Sequence, residues 1–125
     1  GKAKCWPLER FFELADALVD LDVTWMLGPA EFELARRVQE RDEPLLVEEN
    51  LESAAEQMAG FDLYVGNDSG VTHLAAAIGL PTVAIFVATD PRIWRPLGAH
   101  VMVVVQTDGL GFEDVLTAVR RRVMD

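Results

Sequence analysis

Residues 64–86 read YVGNDSGVTHLAAAIGLPTVAIF, and the order of apolar, polar and small residues in this stretch decides the fold. A short β-rich run ends in a cluster of polar residues around Gly70. A small-residue helical segment follows and stops at Gly79-Leu80-Pro81, because the residue before a proline is driven out of the helical region. PTVAIF, residues 81–86, then opens a second apolar run. Strand, turn, helix and strand in this order are the unit from which parallel sheets are built.

The same alternation extends in both directions. Downstream, VMVVV at 101–105 predicts a strand, and 112–124 predict a helix with Phe112, Val115, Leu116, Val119 and Val123 inward and Arg120, Arg121 and Arg122 largely outward. Upstream, strands are predicted at 62–66, 44–48 and 23–27, the last ended by Gly28-Pro29. Helices are predicted at 51–60, on the stripe Leu51, Ala54, Ala55 and Met58, and at 31–40, on Phe32, Ala35 and Val38. The first helix, 7–20, has Pro7 in its first turn and Leu8, Phe11, Phe12, Ala15, Leu18 and Val19 at helical spacing. Strands that read as continuous apolar runs are buried on both faces. The expected architecture is therefore α/β, a Rossmann-like three-layer sandwich around a mostly parallel sheet, with residues 1–125 as one domain.

Half of the 125 residues are hydrophobic and 26% are charged, which is a globular composition. The apolar runs are far shorter than the ~20 residues of a membrane span, and no secretory signal is evident, so the expected compartment is the cytoplasm. The single cysteine, Cys5, has no internal disulfide partner. A net charge of −10 argues against nucleic acid as a partner. It would also repel a phosphate at long range, so any phosphate site must be built locally, from a helix N-terminus and one or two cations.

The turn at 67–73 meets that description. In open parallel sheets, ligands bind at the carboxyl ends of strands, where helix N-termini offer free N–H groups to anions. Asn67, Asp68, Ser69, Gly70, Thr72 and His73 cluster there: Gly70 lets a ligand approach the backbone, and Ser69 and Thr72 carry hydroxyls to donate. The plainer reading is that Asp68 or Ser69 caps the helix and His73 packs. Spacing alone leaves both open.

The string GNDSGVTHLAAAIGLPTVAIF, followed by ATDPRIWRPLG, resembles the C-terminal domain signature of glycosyltransferase family 9, which includes the ADP-heptose:lipopolysaccharide heptosyltransferases. The opening KAKCWPLERFFELADAL resembles the same family's Lys-x-Trp-Pro motif and first helix. The resemblance implies the C-terminal half of a GT-B glycosyltransferase: two Rossmann-like domains facing a cleft, with the donor held by this half. It implies donor-binding roles for Lys4 on the diphosphate, with Lys2 as a nearby competitor, and for Asp68 on sugar hydroxyls. Ser69 and Gly70 would present donors to phosphate, and His73 would touch phosphate or sugar. Glu31 would bind the ribose, and Glu49 falls where the family lines the adenine pocket, often with an aliphatic side chain. A lone exposed lysine and a helix N-terminal glutamate are the plainer readings of Lys4 and Glu31. Val87 stands where similar sequences commonly have glycine, which bears on loop shape near Thr89 and Asp90. Trp94 and Arg95 are not placed in the site.

The implied reaction transfers heptose from ADP-heptose to a lipopolysaccharide core acceptor with inversion, with no metal and no cofactor beyond the donor itself. The general base and the acceptor would belong to an N-terminal domain absent from this chain, which alone would be inactive. In the full-length protein the inner face of the inner membrane is an expected location. Two other readings compete: the same fold with another nucleotide sugar, such as UDP-N-acetylglucosamine, and a non-catalytic α/β binding module. The family also places a central strand just before the lysine motif. The resemblance therefore implies a gap between the strands at 23–27 and 62–66, closed by direct pairing, the preferred expectation, or filled by homodimerisation.

Overall fold

The computed structural model describes residues 6–28, 31–67, 69–87, 100–106 and 111–124. Along them run helix α1 (Leu8–Ala17), strand β1 (Trp25–Leu27), α2 (Phe32–Gln39), β2 (Leu45–Val47), α3 (Leu51–Met58), β3 (Tyr64–Asn67), α4 (Gly70–Ala77), β4 (Thr82–Val87), β5 (Val101–Gln106) and α5 (Phe112–Met124). The predicted alternation is the observed one. Every strand pairing is parallel: β1 with β2, β3 with β4, and β4 with β5. β4 is the longest shared strand, running in register from Thr82 beside Val101 to Val87 beside Gln106. The backbone at Val87 is thus regular strand.

Successive strand residues point to opposite faces, and the two faces have separate cores. Val83 and Ile85 of β4 are fully buried with Leu14 and Leu18 at the end of α1, Val104 of β5, and Val115, Ala118 and Val119 of α5. On the other face, Ala54 and Met58 of α3 pack with Ala75 of α4 and Leu80, against Met26 of β1 and Tyr64 of β3. Helices α1 and α5 therefore cover one face and α3 and α4 the other, giving three layers. Each fully buried aliphatic side chain of this kind contributes about 1.5–3 kcal/mol relative to exposure.

Three expectations are corrected. α1 ends at Ala17, because the chain at Leu18 leaves helical geometry (φ −101°, ψ 47°) while its N–H still bonds back to Leu14 and Ala15. Val19, beyond that break, is 87% exposed instead of inward. In α5, Val123 is exposed, and Ala118 joins Val115 and Val119 in the core. The third correction concerns the sheet. The strands expected to close a gap directly do not pair: the order is β1-β2 in one sheet and β3-β4-β5 in another. Helices hold the two ladders in place from both faces. Phe12 of α1 packs edge-on against Trp25 of β1, while Leu14 and Leu18 bury against the β4 side. On the other face the α3–α4 core touches both Met26 and Tyr64. No helix among the described residues is long and apolar enough to cross a membrane.

Candidate functional site

Ser69 is the N-cap of α4, extended at φ −157° and ψ 169°, and its hydroxyl accepts the Thr72 N–H at 3.3 Å. Its carbonyl accepts the His73 N–H at 3.1 Å. The N–H groups of Gly70 and Val71 lie outside the helix's own hydrogen-bond pattern, as first-turn donors do, and point out of the helix N-terminus. Gly70 is exposed, and among the described residues outside its chain neighbours and its own helix backbone nothing lies within 4 Å of where a Cβ would sit. Packing among the described residues therefore gives no reason for glycine there, and the missing side chain leaves the backbone approachable. His73 is half-buried in the same turn.

Beneath the turn lies a hydroxyl cluster. Thr72 is fully buried, and its hydroxyl donates to the Asn67 carbonyl at 2.5 Å, with the Tyr64 hydroxyl at 3.2 Å and the Ser69 hydroxyl at 3.3 Å. This corrects the expectation that Thr72 offers its hydroxyl outward: it sits on the inner face of α4 and ties the helix to β3. Burial pushes the Tyr64 phenol above its ordinary value and the Glu31 carboxylate adds to this, while the Thr72 and Ser69 hydroxyls, able to turn and solvate a phenolate, pull the other way. The phenol is thus a protonated donor.

Glu31 comes from the other ladder, just past β1. One carboxylate oxygen accepts the Gly28 N–H at 2.9 Å, closing the turn at the end of β1. Part of its role is therefore local structure, and its charge is the smallest of the causes acting on the Tyr64 phenol. Glu49 is exposed just past β2, one residue before Asn50, whose side chain caps α3 by accepting the Ser53 N–H at 2.9 Å. It belongs to the two-stranded ladder. Lys4, Asp68, Thr89, Asp90, Trp94 and Arg95 lie outside the described residues.

The Trp6 N–H donates to the Asn67 side-chain oxygen at 2.8 Å, across 61 residues of sequence. The Trp6 ring is buried against Phe11, edge-on at 4.9 Å, and stacks with Phe112 at 6.4 Å. Trp6 thus lies at the carboxyl end of β3, beside the Ser69 turn. Sequence reasoning placed Asn67 in the polar turn without its role as the acceptor for Trp6, and it missed Tyr64 as a builder of this site. Nothing in one sequence separates a side chain that receives a backbone amide from a polar loop residue, or a phenol reaching under a helix from an ordinary strand aromatic.

Comparison with known proteins follows this geometry. Glycosyltransferase family 9 (heptosyltransferase) matches residues 1–113 of the chain. Lipopolysaccharide heptosyltransferase 1 of Escherichia coli (strain K12) is 33% identical over 105 residues, covering 80% of this chain and 33% of that protein. A solved structure of E. coli heptosyltransferase WaaC with ADP superposes at a TM-score of 0.84 with 28% identity, covering 98% of this chain and 41% of that one. A second structure of WaaC, with ADP-2-deoxy-2-fluoro heptose, does so at 0.67 with 29% identity, covering 95% and 38%. The chain spans about a third of the length of the curated relatives it matches.

Proposed function

The chain belongs to glycosyltransferase family 9, and from that premise we propose that residues 1–125 form the nucleotide-sugar-binding, C-terminal domain of a heptosyltransferase that takes ADP-heptose as donor. The observation that supports this reading is the hydrogen bond from Trp6 to Asn67, which sets Trp6, two positions after Lys4 in the sequence, at the carboxyl end of β3, where the chain leads into the helix N-terminus at Ser69 and Gly70. A chain of net charge −10 has few other means of holding a diphosphate. Lys4 supplies the cation, the Ser69 hydroxyl and the Gly70 and Val71 N–H groups supply donors, and His73 borders them. Asp68 takes sugar hydroxyls, Glu31 the ribose, and Glu49 the rim of the base pocket.

In the reaction the bond from the anomeric carbon to the diphosphate breaks, and its electron pair leaves with ADP. The acceptor hydroxyl attacks the opposite face, inverting the centre, and its proton passes to a carboxylate base outside this chain, in the domain that holds the lipopolysaccharide core acceptor. Donors aimed at the departing diphosphate stabilise charge that develops only as the bond breaks, with no metal required. The setting is the cytoplasm, at the inner face of the inner membrane for the full-length enzyme.

Calorimetric titration with ADP and UDP tests the reading. ADP should bind and UDP should bind less well, and Lys4→Ala should weaken ADP by about 1–3 kcal/mol, the range for a charge-assisted contact. A folded Lys4→Ala chain with unchanged affinity would remove Lys4 from the site, and binding of neither nucleotide would sink the donor reading in favour of a non-catalytic module.

A further inference from the structure

Thr72 is 0% exposed, and among the described residues three groups surround its hydroxyl oxygen: the Asn67 carbonyl, the Tyr64 hydroxyl at 3.2 Å and the Ser69 hydroxyl at 3.3 Å. A threonine hydroxyl has one hydrogen and two lone pairs. A carbonyl can only accept, so the one hydrogen goes to Asn67. Tyr64 and Ser69 are then both placed to donate to the lone pairs of Thr72, and the Ser69 hydroxyl also lies against the Tyr64 phenol. The two differ in freedom. Tyr64 is held in place: its ring lies over Gly66, where a Cβ would approach ring carbons Cε1 and Cζ to 2.7 and 2.8 Å. Ser69 is exposed at the mouth of α4, and its hydroxyl hydrogen can turn from Thr72 to an incoming oxygen.

We propose that Tyr64 is a positioning residue of the donor site, keeping the buried Thr72 oxygen supplied with a donor so that the Ser69 hydroxyl is free to turn to a phosphate oxygen. Without the phenol, turning Ser69 outward would strip Thr72 of its last donor inside a buried turn, a loss that opposes binding. Gly66 is the companion requirement, since only glycine leaves the ring its place across the strand. The inference rests on the donor-site reading, and it adds what the sequence motif does not contain: a residue five positions before Ser69 that never touches the ligand and acts through two hydroxyls.

The test is ADP titration of the wild-type chain, Tyr64→Phe, Ser69→Ala and the double variant. Tyr64→Phe should bind ADP about three- to tenfold more weakly, the worth of one hydrogen bond. Ser69→Ala should also bind more weakly, and Tyr64→Phe should add nothing to it, because its effect passes through the Ser69 hydroxyl. A purely structural role would lower affinity equally in both backgrounds, and that result overturns the proposal, as does a Tyr64→Phe chain with wild-type affinity. Tyr64 is the single tyrosine of the chain, so a second readout needs no substitution of its hydroxyl. With 3-fluorotyrosine incorporated, the one ¹⁹F resonance should move on saturation with ADP in wild type and stay in place in Ser69→Ala, and a resonance that ignores ADP overturns the proposal. Absence of ADP binding by wild type would overturn the donor-site reading and this inference with it. Wild-type binding with an indifferent Tyr64→Phe overturns the inference alone.

Discussion

Substituting Gly66 by alanine is the most direct probe of how the site is built. The added methyl would lie 2.7 Å from Tyr64 Cε1 and 2.8 Å from Cζ, and closer still to the hydroxyl oxygen. Ordinary carbon contacts need ~3.5 Å, so the ring must retreat by roughly 0.8 Å. The displacement is greatest at the hydroxyl, the atom that reaches Thr72 at 3.2 Å, and that bond should be lost. Overpacking of this kind costs ~1–3 kcal/mol, and the lost hydrogen bond adds ~0.5–1.5 kcal/mol. Replacing glycine within a strand returns ~0.5–1 kcal/mol of backbone entropy. The net expectation is a destabilisation of about 2–3 kcal/mol, read as a lower urea midpoint at constant m-value. In a Tyr64→Val background, where no ring lies over position 66, the same substitution should cost little. A loss below about 0.5 kcal/mol in the wild-type background, or an equal loss in both, would refute the packing argument.

Asn67→Ala should destabilise the chain by about 1–3 kcal/mol, because the part-buried Trp6 N–H loses its acceptor, and hydrogen exchange at the Trp6 amide should rise in step. Ser69 separates capping from binding: Ser69→Gly should cost only a few tenths of a kcal/mol in stability against ~1 kcal/mol for Ser69→Ala, while both lose ADP affinity, as parallel thermal melts and titrations would reveal. Glu43 accepts from Arg41 at 2.6 Å and Trp25 at 2.9 Å, and the Arg41 bond foremost holds its carboxyl below the usual 4.5. Because the folded-state value is the lower one, its contribution is complete above about pH 4.5 and is lost as pH falls through the folded value. Glu43→Gln should therefore flatten the acid side of a stability-against-pH profile measured by urea unfolding.

The alternation of strands and helices was legible because buried parallel strands are written as apolar runs, such as Val83 to Ile85 and Val101 to Val105, and because Ala54 and Met58 of α3 and Val115 and Val119 of α5 are buried as their spacing predicts, while Leu51 and Val123 at the ends of those stripes are exposed. Ser69 as a cap was legible from residue type and position. The end of α1 was not, since no glycine or proline marks Leu18 and the apolar spacing continues to Val19 after the helix has stopped. Thr72 was misread because a hydroxyl beside a ligand turn looks the same in sequence whether it faces solvent or β3. Its burial is decided by the packing of α4 on Tyr64 and the α3 side, which is tertiary information. The separation of the two ladders was hidden for the same reason: each strand's pattern specifies its own burial and says nothing of which neighbour it will accept.

That separation makes the molecule mechanically uneven. The β1–β2 ladder is three residues long and touches the rest through side chains, whereas β4 and β5 share six paired positions around the larger core. Local opening follows such differences, so amide exchange should divide the chain into a soft portion carrying Glu31 and Glu49 and a stiff one carrying Ser69 and Gly70. On the proposed donor reading, a nucleotide bound to this chain would meet an unyielding anchor at its phosphates and a compliant surface at its ribose and base.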